Sequence, residues 1–506
     1  MTRTSKLLLI PVLLVLACFF ALAGRHRFID GDEGFYLLAA RLVLQHKQPY
    51  QDFLYTQAPL LPYVYALWIK LAGVNWYAAR DFSALLTTIL GLLMYIHVCR
   101  ETRKWSSGLA AVALFISSTY IFAWFPIVKT FSLAVLLLFI PYFILADLSP
   151  GTSRWLIAVA GLSFGLAVET RSYLVALIPV FLWWIFYRST NGKRIVSMMW
   201  FLIGFAVSLA PSLYLFASAP DLYLFNNLGY HSLRSSAGLI GGWRWKLQIA
   251  LQVLIYPRDN GLQFSLLAVV SFVVIVVLRR QRGAALLSFL IALFIGIVSM
   301  LPTPPLVQYF CMCVPFLIVA AVCSVSDYLA SVPVQFKSAT AGVCLVLLAG
   351  FAASAVPSFW RYCVTGYHVM GVKDPEDAHN WTLDKVTEVS REIDQLARPK
   401  EEVGSFWPGY IFASKANPYP GYENDFGWMI TAKLTDDQRA RYHILSRLDM
   451  EAGFAGHAPR IVVVGNQEFF DGAPRVSACA AILRYYHYAS VRTIGDTSIF
   501  ECCTRR

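Results

Sequence analysis

The chain has 506 residues, 58% of them hydrophobic and 14% charged, with a formal net charge of +12 and a mean hydropathy of +0.57. Such a composition excludes one water-soluble core with an ordinary surface, because too few polar side chains remain to cover it. A nucleic-acid role is excluded as the meaning of the positive charge, since no soluble stretch carries a basic stripe with interleaved aromatics.

Apolar runs of about 18 to 22 residues, the helical length that crosses roughly 30 Å of hydrocarbon, recur along the first part of the chain. They fall at 7–24, 80–99, 108–125, 130–146, 155–170, 173–187, 195–218, 262–278, 284–301, 306–325 and 339–357, and predict a mainly α, polytopic membrane protein with about eleven spans. Arg100, Arg103 and Lys104, then Arg188, Lys193 and Arg194, then Arg279, Arg280 and Arg282 lie in alternate loops of that count. Basic residues are retained on the cytoplasmic side, so these loops and the N-terminus with Arg3 and Lys6 are expected inside, and residues 25–79, 219–261 and 358–506 outside. The first span also reads like a signal peptide ending at Ala21-Leu-Ala23-Gly24, but its pattern favours an uncleaved anchor. Compact loops and the lack of a recognisable retention tail favour a bacterial inner membrane.

Directly after that span comes Ile29-Asp30-Gly31-Asp32-Glu33-Gly34-Phe35-Tyr36. Carboxylates at the edge of lipid are costly to desolvate, so three within four residues point to an ion, a transferred proton or a polar substrate. Two plainer or rival readings stand beside it. Asp32 and Glu33 would cap a helix starting near Gly34, or Asp30 and Asp32 would share a divalent cation as a DxD pair. Phe35, Leu38, Ala39, Leu42 and Val43 then repeat at helical spacing with Arg41, Gln45 and Lys47 opposite, which predicts an amphipathic helix lying in the membrane interface. Pro59-Leu-Leu-Pro62-Tyr63-Val-Tyr65 opens a second short helix with aromatics at headgroup level.

Further along, the outer segment 219–261 carries Trp243, Trp245 and an amphipathic run to Tyr256, and is read as a flap or a plain interfacial helix. The tail from 358 has ordinary polarity and predicts a small extracytoplasmic α/β domain. Its strands are expected at 403–407, 461–465 and 493–500, and its helices near 383–397 and 434–448. The turn-rich piece from Asn417 to Asp425 is read as a structural loop, with an acceptor groove facing Asp32 as the sharper alternative. Cys363, Cys479, Cys502 and Cys503 lie where an oxidising compartment permits one or two disulfides. The domain division expected is therefore 1–357 in the membrane and 358–506 outside. Lone histidines such as His46, His97 and His231 are read as structural.

The order of basic N-terminus, first span, Asp32-Glu33-Gly-Phe-Tyr36, amphipathic helix, Pro49-Tyr-Gln-Asp-Phe53, Gln57-Ala-Pro-Leu-Leu-Pro62 and Ala79-Arg80 resembles the GT-C glycosyltransferases. It is most similar to their family 39 branch, the protein O-mannosyltransferases and lipid A aminoarabinose transferases. Weaker echoes are Thr170-Arg171-Ser-Tyr173 and Pro302-Thr-Pro-Pro305 with Gln308-Tyr309. One departure is Val128-Lys129-Thr130, where many relatives have an acidic residue. The resemblance implies inverting transfer of a sugar from a polyprenyl-phosphate carrier to a glycan, lipid or protein hydroxyl outside the cytoplasmic leaflet, with no obligatory cofactor.

That chemistry needs a carboxylate to take the acceptor's proton, for which Asp32 matches the family position, with Glu33 to orient it. It also needs cations at the departing phosphate, for which Arg171 is the strongest candidate, followed by Lys129, Arg234, Arg244 and Arg258. Tyr36, Tyr55, Gln57, Tyr173 and Tyr309 are expected to line the donor and acceptor pocket. A transporter is the main rival class, but it would place ionisable groups near the bilayer midplane in paired, broken spans, and no internal repeat is visible. A non-catalytic scaffold leaves the acidic cluster unexplained.

Overall fold

The computed structural model describes residues 1–149, 151–190, 192–234, 242–255, 261–278, 283–302, 304–367, 381–465 and 476–502. Chain contacts divide it into two discontinuous units, one of Met1–Arg27, Ser83–Ala210 and Ala237–Asp374, the other of Phe28–Phe82, Pro211–Ser236 and Pro375–Arg506. The expected outer segment 25–79 and the start of 219–261 thus group with the C-terminal domain rather than with the spans.

The first unit is helical. Among the described residues four helices are long and apolar enough to cross a membrane: Arg3–His26, Trp76–Thr102, Val307–Ser331 and Val334–Thr365. A fifth span arises if Arg194–Ser208 and Ala210–Ser218, bent by 47°, count as one. Other apolar helices are shorter, including Trp105–Ser117, Thr130–Ala146, Ser172–Arg188, Leu262–Val277 and Gly283–Ser299. By length and composition this gives fewer spans than the apolar runs suggest, because several runs are interrupted. The run at 108–125 breaks at Ser118, which is extended at φ −77°, ψ 121° between Trp105–Ser117 and Thr119–Trp124.

Helices Arg154–Thr170 and Arg194–Ser208 make the closest pairing of this unit through glycine. A Cβ on Gly161 would stand 1.9 Å from the Phe201 carbonyl oxygen, and one on Gly204 would stand 1.9 Å from that of Ala158. Without a side chain at either position the backbones touch, which is how small residues bring helices together where water supplies no driving force.

In the second unit, Gly31–Leu44 and Leu60–Ala72 are helices as expected. Gly31–Leu44, however, is no interfacial helix with a wet face. Every residue from Glu33 to Leu42 is buried. Arg41, read as part of the polar face, donates to the carbonyls of Ile411, Phe412, Ser414 and Ala416 at 2.5 to 3.2 Å. Burial lowers its pKa to about 10. A guanidinium with five fixed donors meets a ring of chain carbonyls, so an apparent solvent face becomes a docking face.

The C-terminal part carries a five-stranded mixed sheet in the order β2-β1-β3-β5-β4. Its strands are β1 Glu402–Ser405, β2 Asn417–Pro418, β3 Ile461–Val464, β4 Tyr488–Ile494 and β5 Thr497–Cys502. β1 runs parallel to β2 and β3, while β5 is antiparallel to β3 and β4. The expected strand 493–500 is instead a hairpin. Ile494 pairs with Thr497, and Gly495 at φ +62° makes the turn. The expected helix 434–448 is two pieces, Asp436–Arg441 and Arg447–Ala455. Leu383–Leu396 matches its expected helix, begun by a Thr382 cap on the Lys385 N–H. Cys363, Cys479 and Cys502 are thiols rather than disulfides; Cys479 and Cys502 pack into the apolar core with Phe406, Phe454 and Phe500, as small hydrophobes do. Cys503 lies outside the described residues.

Candidate active site

The three clustered carboxylates have separate fates. Asp30 is the N-cap of Gly31–Leu44 and accepts the Asp32 N–H at 3.1 Å. Glu33, at the third helical position, accepts the Asp30 N–H at 2.8 Å, completing a reciprocal capping box. Glu33 also pairs with Arg80 at 2.5 and 3.0 Å, both side chains being fully buried, while Arg80 donates to the Phe28 carbonyl at 3.1 Å. The capping reading therefore holds for Glu33 but not for Asp32, since the cap is Asp30 and the helix begins at Gly31 rather than near Gly34. Asp32 lends its N–H to the cap and keeps a partly exposed side chain in the first turn.

Trp407 fixes where that helix begins. Its indole N–H donates to the Gly31 carbonyl at 2.9 Å, and a Cβ on Gly34 would fall 2.7 Å from the Gly409 nitrogen and 2.8 Å from the Trp407 ring. Gly34 is thus required by close approach rather than by backbone angle. The Asp32 position is set by packing on both sides.

Asp425, from the turn-rich piece, is within electrostatic reach of Asp32, and burial lifts its carboxyl well above the usual carboxylate range. Tyr55 is completely buried and stacks on Phe35 at 4.9 Å, and burial raises its phenol, with Tyr36 and Tyr50 adding to the shift. Tyr36 is buried on the same helix. Gln57 takes part through its backbone carbonyl, which accepts the Tyr50 hydroxyl at 2.7 Å. Among the described residues no group of three His, Cys, Asp or Glu side chains comes together to hold a metal.

A second constellation belongs to the first unit. Arg171 ends the Arg154–Thr170 helix at φ −151°, and the short turn Ser172–Leu177 returns Tyr173 towards it. Its guanidinium donates to the Tyr173 hydroxyl at 2.6 Å and to Thr130 Oγ1 at 2.5 Å. It lies 4.8 Å from the ring centroids of Phe131, Tyr173 and Tyr309 alike. Lys129 stands at the N-cap position of Thr130–Ala146 without a side-chain cap bond, and its ammonium sits 5.0 Å from the centre of the Trp124 ring. Arg27 meets that same ring at 5.4 Å and is 1% exposed. Three buried cations and the aromatic rings of Trp124, Phe131, Tyr173 and Tyr309 are thus grouped in this unit.

Of the other expected phosphate ligands, Arg234 closes the Tyr230–Arg234 helix of the second unit. Arg244 is exposed beside Trp243. Arg258 lies outside the described residues. The segment read as a flap is tied down in its first half. Asn226 accepts the Tyr55 N–H at 2.8 Å, His231 bonds the Thr56 carbonyl at 2.9 Å and Phe225 stacks on Tyr442 at 3.5 Å.

Residues 56–215 match the model of the dolichyl-phosphate-mannose-protein mannosyltransferase family. The structure is similar to crystal structures of ArnT from Cupriavidus metallidurans. Against ArnT bound to undecaprenyl phosphate the TM-score is 0.63 at 14% identity, covering 99% of this chain and 98% of that one. Against the apo state it is 0.64 at 14% identity, covering 98% and 97%. The chain has the fold of these ArnT structures. No curated protein sequence gives a significant match.

Sequence reasoning gave Arg27 and Arg80 no partner and took Asp425 only as the end of the turn-rich piece. Arg27 was readable as a charge flanking the first span, and nothing local announces its contact with Trp124. Arg80 stood in the Ala79-Arg80 pair that opens a span, an expensive place for an unpaired guanidinium. That cost was the available signal for a buried acidic partner.

Proposed function

We propose that the chain is an integral-membrane glycosyltransferase moving a sugar from a polyprenyl-phosphate carrier to an acceptor hydroxyl on the extracytoplasmic side. The observation that carries this reading is the division of labour in the acidic cluster: Asp30 and Glu33 hold the helix start and Arg80, and so fix the neighbouring Asp32. The family match over 56–215 and the ArnT-like fold support the class of reaction.

In the proposed step the acceptor oxygen attacks the anomeric carbon as the bond from that carbon to the phosphate oxygen breaks. The bonding pair leaves with the lipid phosphate, the acceptor proton passes to Asp32, and the anomeric configuration inverts. Arg171 and Lys129, with Arg27, are assigned to the phosphoryl oxygens, whose charge grows as the bond breaks. Glu33 is a positioning residue, not a second base. The reading assigns no metal to Asp30.

Transfer is measured in proteoliposomes supplied with undecaprenyl-phosphate sugars and a membrane-lipid extract as acceptor, with products read by mass. Asp32→Asn is expected to lower turnover about 10²- to 10⁴-fold, the usual contribution of a positioned base, with binding of undecaprenyl phosphate retained. Turnover equal to wild type overturns the assignment.

A further inference from the structure

Among the buried polar atoms of the second unit without a hydrogen-bond partner among the described residues are both carboxyl oxygens of Asp425 and the hydroxyl of Tyr55, beside single atoms of Gln48, Gln51, Trp76, Tyr422 and Arg439. Asp425 is 3% exposed and Tyr55 is not exposed at all. Buried polar atoms are satisfied in nearly every native protein, so two orphans in one neighbourhood call for a ligand or a water.

Their surroundings are otherwise bonded. The Asn424 amide donates to the Leu54 carbonyl at 2.9 Å and its oxygen accepts the Phe426 N–H at 2.9 Å. The Tyr55 N–H is taken by Asn226 at 2.8 Å. Phe35 stacks on Tyr55 and meets Phe426 edge-on at 5.0 Å. The backbone that carries both groups is therefore fixed, and apart from a contact of the Asp425 carboxyl with its own backbone N–H the polar tips are left over. Asp32 is close enough to add to the rise that burial imposes on the Asp425 carboxyl.

We propose that Asp425 and Tyr55 read hydroxyl groups of the sugar carried by the donor, in a subsite beside Asp32. A carboxyl group accepts two hydroxyls and a phenol both gives and takes one. The ring faces of Phe35 and Phe426 suit the apolar side of a pyranose or furanose. This assignment rests on the glycosyltransferase reading above and adds to it the groups that tell a glycosylated carrier from a bare one. A site built on such bonds rejects a ligand lacking the matching hydroxyls, because its own polar groups then stay unpaired.

Affinities of the full-length protein in nanodiscs are compared for bare undecaprenyl phosphate and for undecaprenyl-phosphate glucose, mannose and 4-amino-4-deoxyarabinose. Wild type is expected to prefer at least one glycosylated carrier over the bare one by tenfold or more. Tyr55→Phe and Asp425→Ala are each expected to remove about tenfold of that preference while leaving affinity for the bare carrier unchanged. If Asp425→Ala fails to bind the bare carrier, and so has not folded, Tyr55→Phe decides. Variants that keep the full preference and melt at a higher temperature would show two dry polar groups of structural origin, and overturn the subsite. Wild type binding bare and glycosylated carriers alike also overturns it, with the lipid-phosphate reading intact. Binding of neither carrier removes that reading and the subsite together.

Discussion

Glu33 shows how a carboxylate can be essential without being the base. Its oxygens close the capping box and meet Arg80 where both side chains have no exposure. Glu33→Gln leaves a buried guanidinium without its counter-charge, and breaking a buried pair from one side costs about 3–5 kcal/mol. Thermal unfolding in detergent is expected to show that loss, and Glu33→Gln with Arg80→Met is expected to recover part of it. Glu423 is the opposite case. Burial lifts its carboxyl from 4.5 to about 7 although the Gly421 N–H donates to it at 2.7 Å. The folded state holds this proton more tightly than the unfolded chain, so its contribution to stability is complete below pH 4.5 and is lost as pH rises through about 7. A rise of that size corresponds to about 3 kcal/mol. Glu423→Gln is expected to flatten the fall in melting temperature across that window; an unchanged slope would assign it to another group. At this scale the acidic cluster was legible, because charge beside lipid is conspicuous. Which carboxylate does which job was not, because that depends on a helix start fixed by Trp407, far away in the chain.

Elements were legible where one periodicity persists. Leu383–Leu396 and Leu60–Ala72 sit close to where the apolar spacing put them, while Thr493–Phe500 failed because a two-residue turn interrupts a run that is β-like on both sides. Helix pairing was written in the sequence as Gly161-Leu-Ser-Phe-Gly165, a small-xxx-small spacing, but its partner Gly204 becomes evident in the packing alone. The pairing gives an element-scale prediction. In Gly161→Ala the new methyl meets the Phe201 carbonyl oxygen at 1.9 Å, so the helices must part, at a cost of about 1–3 kcal/mol for an overpacked contact. Gly342→Ala, with nothing within 4 Å of its Cβ, is the matched control, and it is expected to be neutral or to gain up to about 1 kcal/mol in helix propensity. Equal melting temperatures for the two variants would mean that Arg154–Thr170 and Arg194–Ser208 are not held by backbone approach.

For the whole molecule, a division at residue 358 was natural from polarity alone, yet the second unit draws on three separate stretches of chain. Hydropathy reads each stretch by itself and cannot report that Arg41 docks on carbonyls near residue 414 or that Asn226 caps the Tyr55 backbone. Charge in the short loops carries a different kind of information, since it acts at insertion rather than in packing, and it yields an orientation that can be tested. Lys47 and Arg103 are both exposed, and the alternate-loop pattern puts Lys47 outside and Arg103 inside. With Cys363→Ser as background, Lys47→Cys is expected to react with a membrane-impermeant maleimide in intact spheroplasts. Arg103→Cys is expected to react only after permeabilisation. The reverse pattern would move Asp32 to the cytoplasmic face, where a carboxylate in the Lys47 segment would meet the wrong leaflet for the proposed transfer. Labelling of both positions in intact cells would instead contradict the alternate-loop count, whichever way the chain is inserted.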